Sequence, residues 1–134
     1  MVSIGIVGLG FMGMTHYRGI KKVRGGKVVA LCTRDKKKRS GDWRGIGGNF
    51  GEPGGKEDLG GIQTYEDVDD LLADPKIDLV DLCLPTDQHC DIAIRAMRAG
   101  KHVLVEKPIA LSLKDADRMV RVSQETGQLL MVAH

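Results

Sequence analysis

Val2-Ser3-Ile4-Gly5-Ile6-Val7-Gly8-Leu9-Gly10-Phe11-Met12-Gly13 opens the chain, and its reading decides the fold. Val2 to Val7 is a short strand rich in β-branched residues. It runs directly into glycines spaced G-x-G-x-x-G, followed by a helical pattern. Strand, glycine turn and helix in that order are the context a dinucleotide-binding fingerprint requires. Gly8 permits the tight turn, Gly10 lets the backbone approach a pyrophosphate with no Cβ between, and Gly13 lets the helix pack closely on the strand. The N–H groups at the helix start then face the phosphates. The competing reading is a glycine-rich turn with a purely structural role.

Outward from this stretch, strands and helices alternate. A helix is expected from about Phe11 to Val23, then a strand from Lys27 to Thr33 around Val28, Val29, Ala30 and Leu31. A short extended piece follows at Ile62 to Thr64. Tyr65 to Leu72 has helical spacing, with acids near its start where the helix dipole favours them. Leu79 to Leu84 is a near-continuous apolar strand. The next helix covers about Gln88 to Ala99 and stops at Gly100. His102 to Val105 is a fifth strand. Ser112 caps an amphipathic helix with Asp115 at its third position, ending near Gly127. Leu129 to Ala133 is the last strand. Such alternation implies parallel strands joined by right-handed crossovers. The expected fold is α/β: a doubly wound parallel sheet (Rossmann fold) of about six strands, order 3-2-1-4-5-6, with helices on both faces, in one domain over residues 1–134.

One segment breaks the alternation. Ser40 to Gly61 is dense in glycine, and each glycine inside a helix costs about 1 kcal/mol relative to alanine. Trp43 and Phe50 are its candidate anchors. Because it follows the second strand, it either lies over the adenosine half of a cofactor or is a flexible insertion.

Composition bounds the rest. The 134 residues suit one core, 42% of them are hydrophobic and 4% aromatic, so the interior is expected to be aliphatic. Net charge is +2 with acids and bases interspersed, which makes no case for nucleic acid or an anionic membrane surface. The basic run Arg34 to Arg39, interrupted by Asp35, is a solvated turn or a binding patch. No apolar run reaches bilayer length and no basic leader precedes the first strand, so a cytoplasmic protein is expected. The three cysteines lack metal-ligand spacing, and no metal site is expected. Cys32 and Cys83 read as small core residues. Cys90, nearer the ligand edge, is a weak candidate nucleophile.

Reaction chemistry enters with Ala99-Gly100-Lys101-His102-Val103-Leu104-Val105-Glu106-Lys107-Pro108. Glu106 and Lys107 follow a buried strand at its carboxyl end, where open parallel sheets place ligands. Lys107 there holds or protonates a substrate hydroxyl, or stands solvated in a turn.

Three ordered segments together resemble the glucose–fructose oxidoreductase and inositol dehydrogenase family (Gfo/Idh/MocA): the glycine turn, Leu84-Pro85-Thr86-Asp87-Gln88-His89, and Gly100 to Pro108. The resemblance covers essentially the whole chain but only the N-terminal half of a typical member. It implies that Gly8, Gly10 and Gly13 hold the pyrophosphate, with Phe11 and Met12 presenting backbone amides. Leu84, Pro85, Thr86 and His89 would line the path of the nicotinamide ribose, and Glu106 and Lys107 would sit beside the nicotinamide. Lys107 becomes the catalytic candidate, touching cofactor and substrate hydroxyl, and the Lys107–Pro108 bond is expected to be cis. A lysine so placed orients the alcohol and stabilises negative charge developing on its oxygen as the hydride leaves.

The family's second catalytic pair, an aspartate and a histidine, belongs to a C-terminal domain that these residues do not include. His89 and His134 are no substitutes; His134, at the exit of strand six, is a cleft contact or incidental. The 134 residues are therefore expected to bind cofactor with little turnover, to need a second domain for a sugar-like substrate, and to self-associate where apolar docking surface is exposed. The alternative is a non-catalytic dinucleotide-binding module, redox-sensing or partner-binding.

Cofactor choice rests on the exit of strand two. An acid there bonds a ribose 2′-hydroxyl, and an arginine nearby accommodates a 2′-phosphate. Thr33 and Arg34 occupy that place, so the reading is NADP or NAD, leaning to NADP. Arg34 stacking only on adenine is the competing role, and Asp35 would favour NAD if it turned inward.

Overall fold

A computed structural model describes residues 1–48 and 50–134. Six strands form one sheet: β1 (Val2–Val7), β2 (Gly26–Cys32), β3 (Gln63–Tyr65), β4 (Leu79–Leu82), β5 (His102–Glu106) and β6 (Leu130–Ala133). Their order is β3-β2-β1-β4-β5-β6, and every pairing is parallel. This is the doubly wound sheet expected. The strand order reverses beside β1, so a crevice opens at the carboxyl ends of β1 and β4.

The helices are α1 (Phe11–Ile20), α2 (Lys36–Arg39), α3 (Val68–Leu72), α4 (His89–Arg98) and α5 (Leu113–Thr126). Side chains alternate across each strand and feed two cores. Ile4, Ile6 and Leu31 pack with Met14 and Tyr17 of α1 on one face. Val7, Ala30, Val80, Leu82 and Val105 pack with Leu71, Ala93, Met97 and Met119 on the other. Among the described residues no helix is long and apolar enough to cross a membrane.

Several boundaries move. α1 stops at Ile20 and turns through Lys21 to Val23. The basic run is neither loose turn nor patch alone: Lys36–Arg39 forms one helical turn because the Asp35 carboxylate accepts from the amides of Lys37 and Lys38. Tyr65 belongs to β3, and the helix after it begins only past the Asp67 cap. β4 ends at Leu82 rather than Leu84. The Ser112 cap is formed, its hydroxyl accepting from the Asp115 amide, and the Lys107–Pro108 bond is cis.

The glycine-dense segment is pinned to α1. Trp43 is fully buried and meets Tyr17 edge-on, ring centres 4.9 Å apart. Its indole N–H donates to the Lys38 carbonyl at 2.9 Å. Backbone bonds from Trp43 to Gly55 and from Gly54 to Ile46 close the segment on itself, and Arg18 donates to the carbonyls of Glu52 and Pro53. Phe50 is exposed and meets Phe11 edge-on. Asn49 lies outside the described residues.

Candidate functional site

The three fingerprint glycines answer to different neighbours. Gly8 has φ +93°, and a Cβ on it would collide with the Cys83 carbonyl. A Cβ on Gly13 would collide with the Gly8 carbonyl. Both are demanded by the chain's own packing. Gly10 is different: a Cβ there would meet no atom within 4 Å. Nothing in the protein requires glycine at that position, and a ligand pressed against the backbone would. No side chain caps α1 and no acid stands in its first turn, so its leading amides and positive dipole end are left for an anion. The cradle suits a pyrophosphate.

Beside it lies a cleft of about 610 Å³, lined by Gly8, Thr33, Arg34, Glu66, Asp67 and Leu84 among others. Thr33 and Arg34 both line it. Asp35 does not line it, because its carboxylate is engaged in capping α2. Arg39 supports the turn from behind, donating to the Thr33 carbonyl at 2.7 Å. The acids Glu66, Asp67 and Asp70 also line the cleft and were not anticipated there. The segment 40–61 contributes no described residue to this lining. It packs on α1. The reason is Trp43, whose apolar bulk is satisfied only in the core against Tyr17.

The other expected contacts stand at the ends of β4 and β5. Pro85 precedes a single 3-10 turn, Thr86–Gln88, which leads into α4. His89 is buried; its Nδ1 lies 2.9 Å from the Pro108 carbonyl oxygen and its Nε2 2.8 Å from that of Leu84. It clasps the two loops together, and any influence on a ligand passes through the backbone it holds. Lys107 is exposed and Glu106 half-buried. Lys101 of the same run is buried, with Nζ donating to the carbonyls of Asp74 and Ile77. Much of this motif is therefore architecture. Cys90 is buried and donates weakly to the Asp115 carbonyl; burial pushes its thiol up, against a nucleophilic role. Burial likewise pushes Cys32 up to about 11. His134 is exposed beyond β6.

One group was not foreseen at all. His16, on the inward side of α1, lies between Asp81 in the middle of β4 and Glu106 at the end of β5. Nδ1 is 2.7 Å from Asp81 and Nε2 2.6 Å from Glu106. The Cys83 thiol donates to Asp81 at 3.5 Å. His16, Asp81 and Cys83 bring donor atoms within 4.8 Å of one another; burial drives the thiol far above its usual range, and the three side chains are joined by hydrogen bonds through Asp81. The available signal was Asp81 itself, an acid inside an otherwise apolar buried strand.

Comparison with known proteins agrees with this geometry. The family described as "Oxidoreductase family, NAD-binding Rossmann fold" (Gfo/Idh/MocA) matches residues 2–134. A 4-carboxy-2-hydroxymuconate-6-semialdehyde dehydrogenase from Sphingobium sp. is 35% identical over 99% of this chain and 38% of its own length. The scyllo-inositol dehydrogenase structure from Lactobacillus casei, with bound NAD(H) and scyllo-inositol, superposes with TM-score 0.78 at 28% identity, over 99% of this chain and 36% of that one. Biliverdin reductase from Synechocystis sp. PCC 6803, in complex with biliverdin and NADP+, gives TM-score 0.81 at 27% identity, over 99% of this chain and 38% of that one. The chain spans little more than a third of these relatives' length. Sheet order, glycine turn and family match agree: the chain belongs to the Gfo/Idh/MocA oxidoreductase family, as its NAD-binding Rossmann domain.

Proposed function

We propose that the chain is the cofactor half of an oxidoreductase that moves a hydride between NADP(H) and a sugar, polyol or related hydroxyl compound. The observation that carries the reading is the uncapped helix start beside Gly10 on the sheet edge that also bears Lys107. A bound nicotinamide would supply the hydride acceptor or donor. The chain's own residues do the rest. Amides of Phe11, Met12 and Gly13 hold the pyrophosphate, Pro85 and Thr86 border the ribose, and Glu106 and Lys107 flank the reacting ring. Lys107 orients the substrate hydroxyl and stabilises negative charge on its oxygen.

The preference for NADP is supported by Thr33 and Arg34 on the cleft wall and by the commitment of Asp35 to the α2 cap. The substrate pocket is completed by a second domain, as in two-domain enzymes whose ligands lie between domains. Leu129 and Met131, exposed beside and on the edge strand β6, support a covered or self-associating face there. The 134 residues alone bind cofactor and turn over little.

Parallel titrations with NADPH and NADH, followed by nicotinamide fluorescence, test this. The expected result is tighter NADPH binding that falls to the NADH level in Arg34→Ala. Equal binding would remove the NADP preference and leave a dinucleotide site. Binding of neither would overturn the reading.

A further inference from the structure

The chain Asp81–His16–Glu106 has no part in the pyrophosphate cradle, and it ends on the residue before Lys107. Its proton count is constrained. Carboxylates only accept, so Nδ1 donates to Asp81 at 2.7 Å, and the 2.6 Å approach of Nε2 to the Glu106 oxygen is attractive only when Nε2 also carries hydrogen. A neutral imidazole serves only one of them. The group is therefore an imidazolium between two carboxylates, hydrogen-bonded to Asp81 and ion-paired with Glu106. The hydrogen bond to Asp81 holds the His16 ring above its ordinary value of 6.5, and the charges of Asp81 and Glu106 reinforce it against the opposing effect of burial. The titratable groups facing His16 are Asp81 from β4, Cys83 just beyond it and Glu106 from β5, with the Cys83 thiol kept protonated by burial.

The two carboxylates are not equivalent. The Asp81 side chain has 0% exposure and that of Glu106 12%. When His16 loses a proton, Asp81 has no water to take its place, so the remaining N–H stays on Nδ1. The Nε2 lone pair then faces the Glu106 carboxylate, and that contact opens.

We propose that His16 is a positioning residue for the nicotinamide end of the site: anchored on Asp81, its imidazolium holds Glu106 and, through the adjoining peptide, Lys107, and deprotonation releases both. This rests on the reading above, in which Glu106 and Lys107 meet the nicotinamide.

The test uses the whole chain from about pH 6 to about pH 10, a range starting near the ordinary histidine value. The His16 ring is titrated by NMR while NADPH and 2′-phospho-ADP-ribose, which lacks the nicotinamide, are titrated in parallel. NADPH binding should weaken about tenfold, the worth of one favourable contact of about 1.4 kcal/mol, with a midpoint matching the His16 ring. The nicotinamide-free ligand should bind equally across the range, and His16→Gln should abolish the NADPH transition while circular dichroism stays native. Equal weakening of both ligands, or constant NADPH affinity while His16 titrates, would overturn the proposal. If neither ligand binds, the functional reading fails and the NMR decides alone. Glu106→Gln lowering the His16 midpoint and shifting its Nε2 resonance sustains the hold, and an unmoved ring overturns it. Glu106→Gln also serves if His16→Gln does not fold.

Discussion

Where the chain leaves β2, the side chains that would meet an adenosine ribose stand near the surface, supported by a helix cap and the Arg39 bond to the Thr33 carbonyl. Where it leaves β5, Glu106 is tied through His16 to a carboxylate sealed from solvent. Both regions sit on the same edge of the same sheet. On the proposed function, the difference teaches that cofactor choice and reaction geometry are held by separate means. The first can change by surface substitution at little cost in stability, whereas the second is bound into the core and changes only with it.

The sharpest way to break this comparison is Asp81→Ala. It leaves a partly buried histidine facing one carboxylate and an empty site where the buried Asp81 stood, and removing one partner of a buried ion pair costs about 3–5 kcal/mol. That is a large part of the 5–15 kcal/mol typical of a domain. Urea unfolding should show it in the midpoint. The same chain gives stability a pH dependence. The folded-state value of His16 is raised, so its contribution is fully present below about pH 6.5 and fades as pH rises through the folded value. Unfolding midpoints measured upward from there should fall in the wild type and stay flatter in His16→Gln.

Next in size is the pair Gly13→Ala and Gly10→Ala. The first drives a methyl into the Gly8 carbonyl and should cost about 1–3 kcal/mol, as overpacking does. The second meets no protein atom, so its stability should stay within about 0.5 kcal/mol while NADPH binding is lost. Thermal melts and fluorescence titrations of the two variants should separate packing from ligand approach.

The smallest effect belongs to the adenosine end. Asp35→Ala removes the α2 cap, worth about 1 kcal/mol. If the comparison holds, this substitution loosens Thr33 and Arg34 and narrows the difference between NADPH and NADH. It should leave the His16 titration unmoved by NMR.

Much of the fold was legible because its signals are local. Apolar runs, glycine stops and the Ser112 cap lie within a few residues of what they determine, and strand order follows from their alternation. Thr33 and Arg34, which line the cleft, were singled out by their distance beyond Gly13. The His16 chain was not, because its partners lie 65 residues apart and no local pattern joins a helix to a strand across the sheet. Asp81 announced that some partner must exist, without naming it. The sequence left the placement of segment 40–61 open for a related reason: Trp43 marked an anchor, and only the tertiary fold shows that Tyr17 receives it. α2 was hidden by brevity, since four basic residues carry no apolar period.

That anchor has a consequence for observation. Trp43 is the chain's sole tryptophan, and it lies in the α1-side core, across the sheet from the core built on α4 and α5. Its emission is therefore an intrinsic optical probe of one seam. A red shift preceding the loss of helical ellipticity would mark the 40–61 segment peeling from α1 while the sheet stays intact. Coincident transitions would mean that the segment and the sheet melt as one cooperative unit.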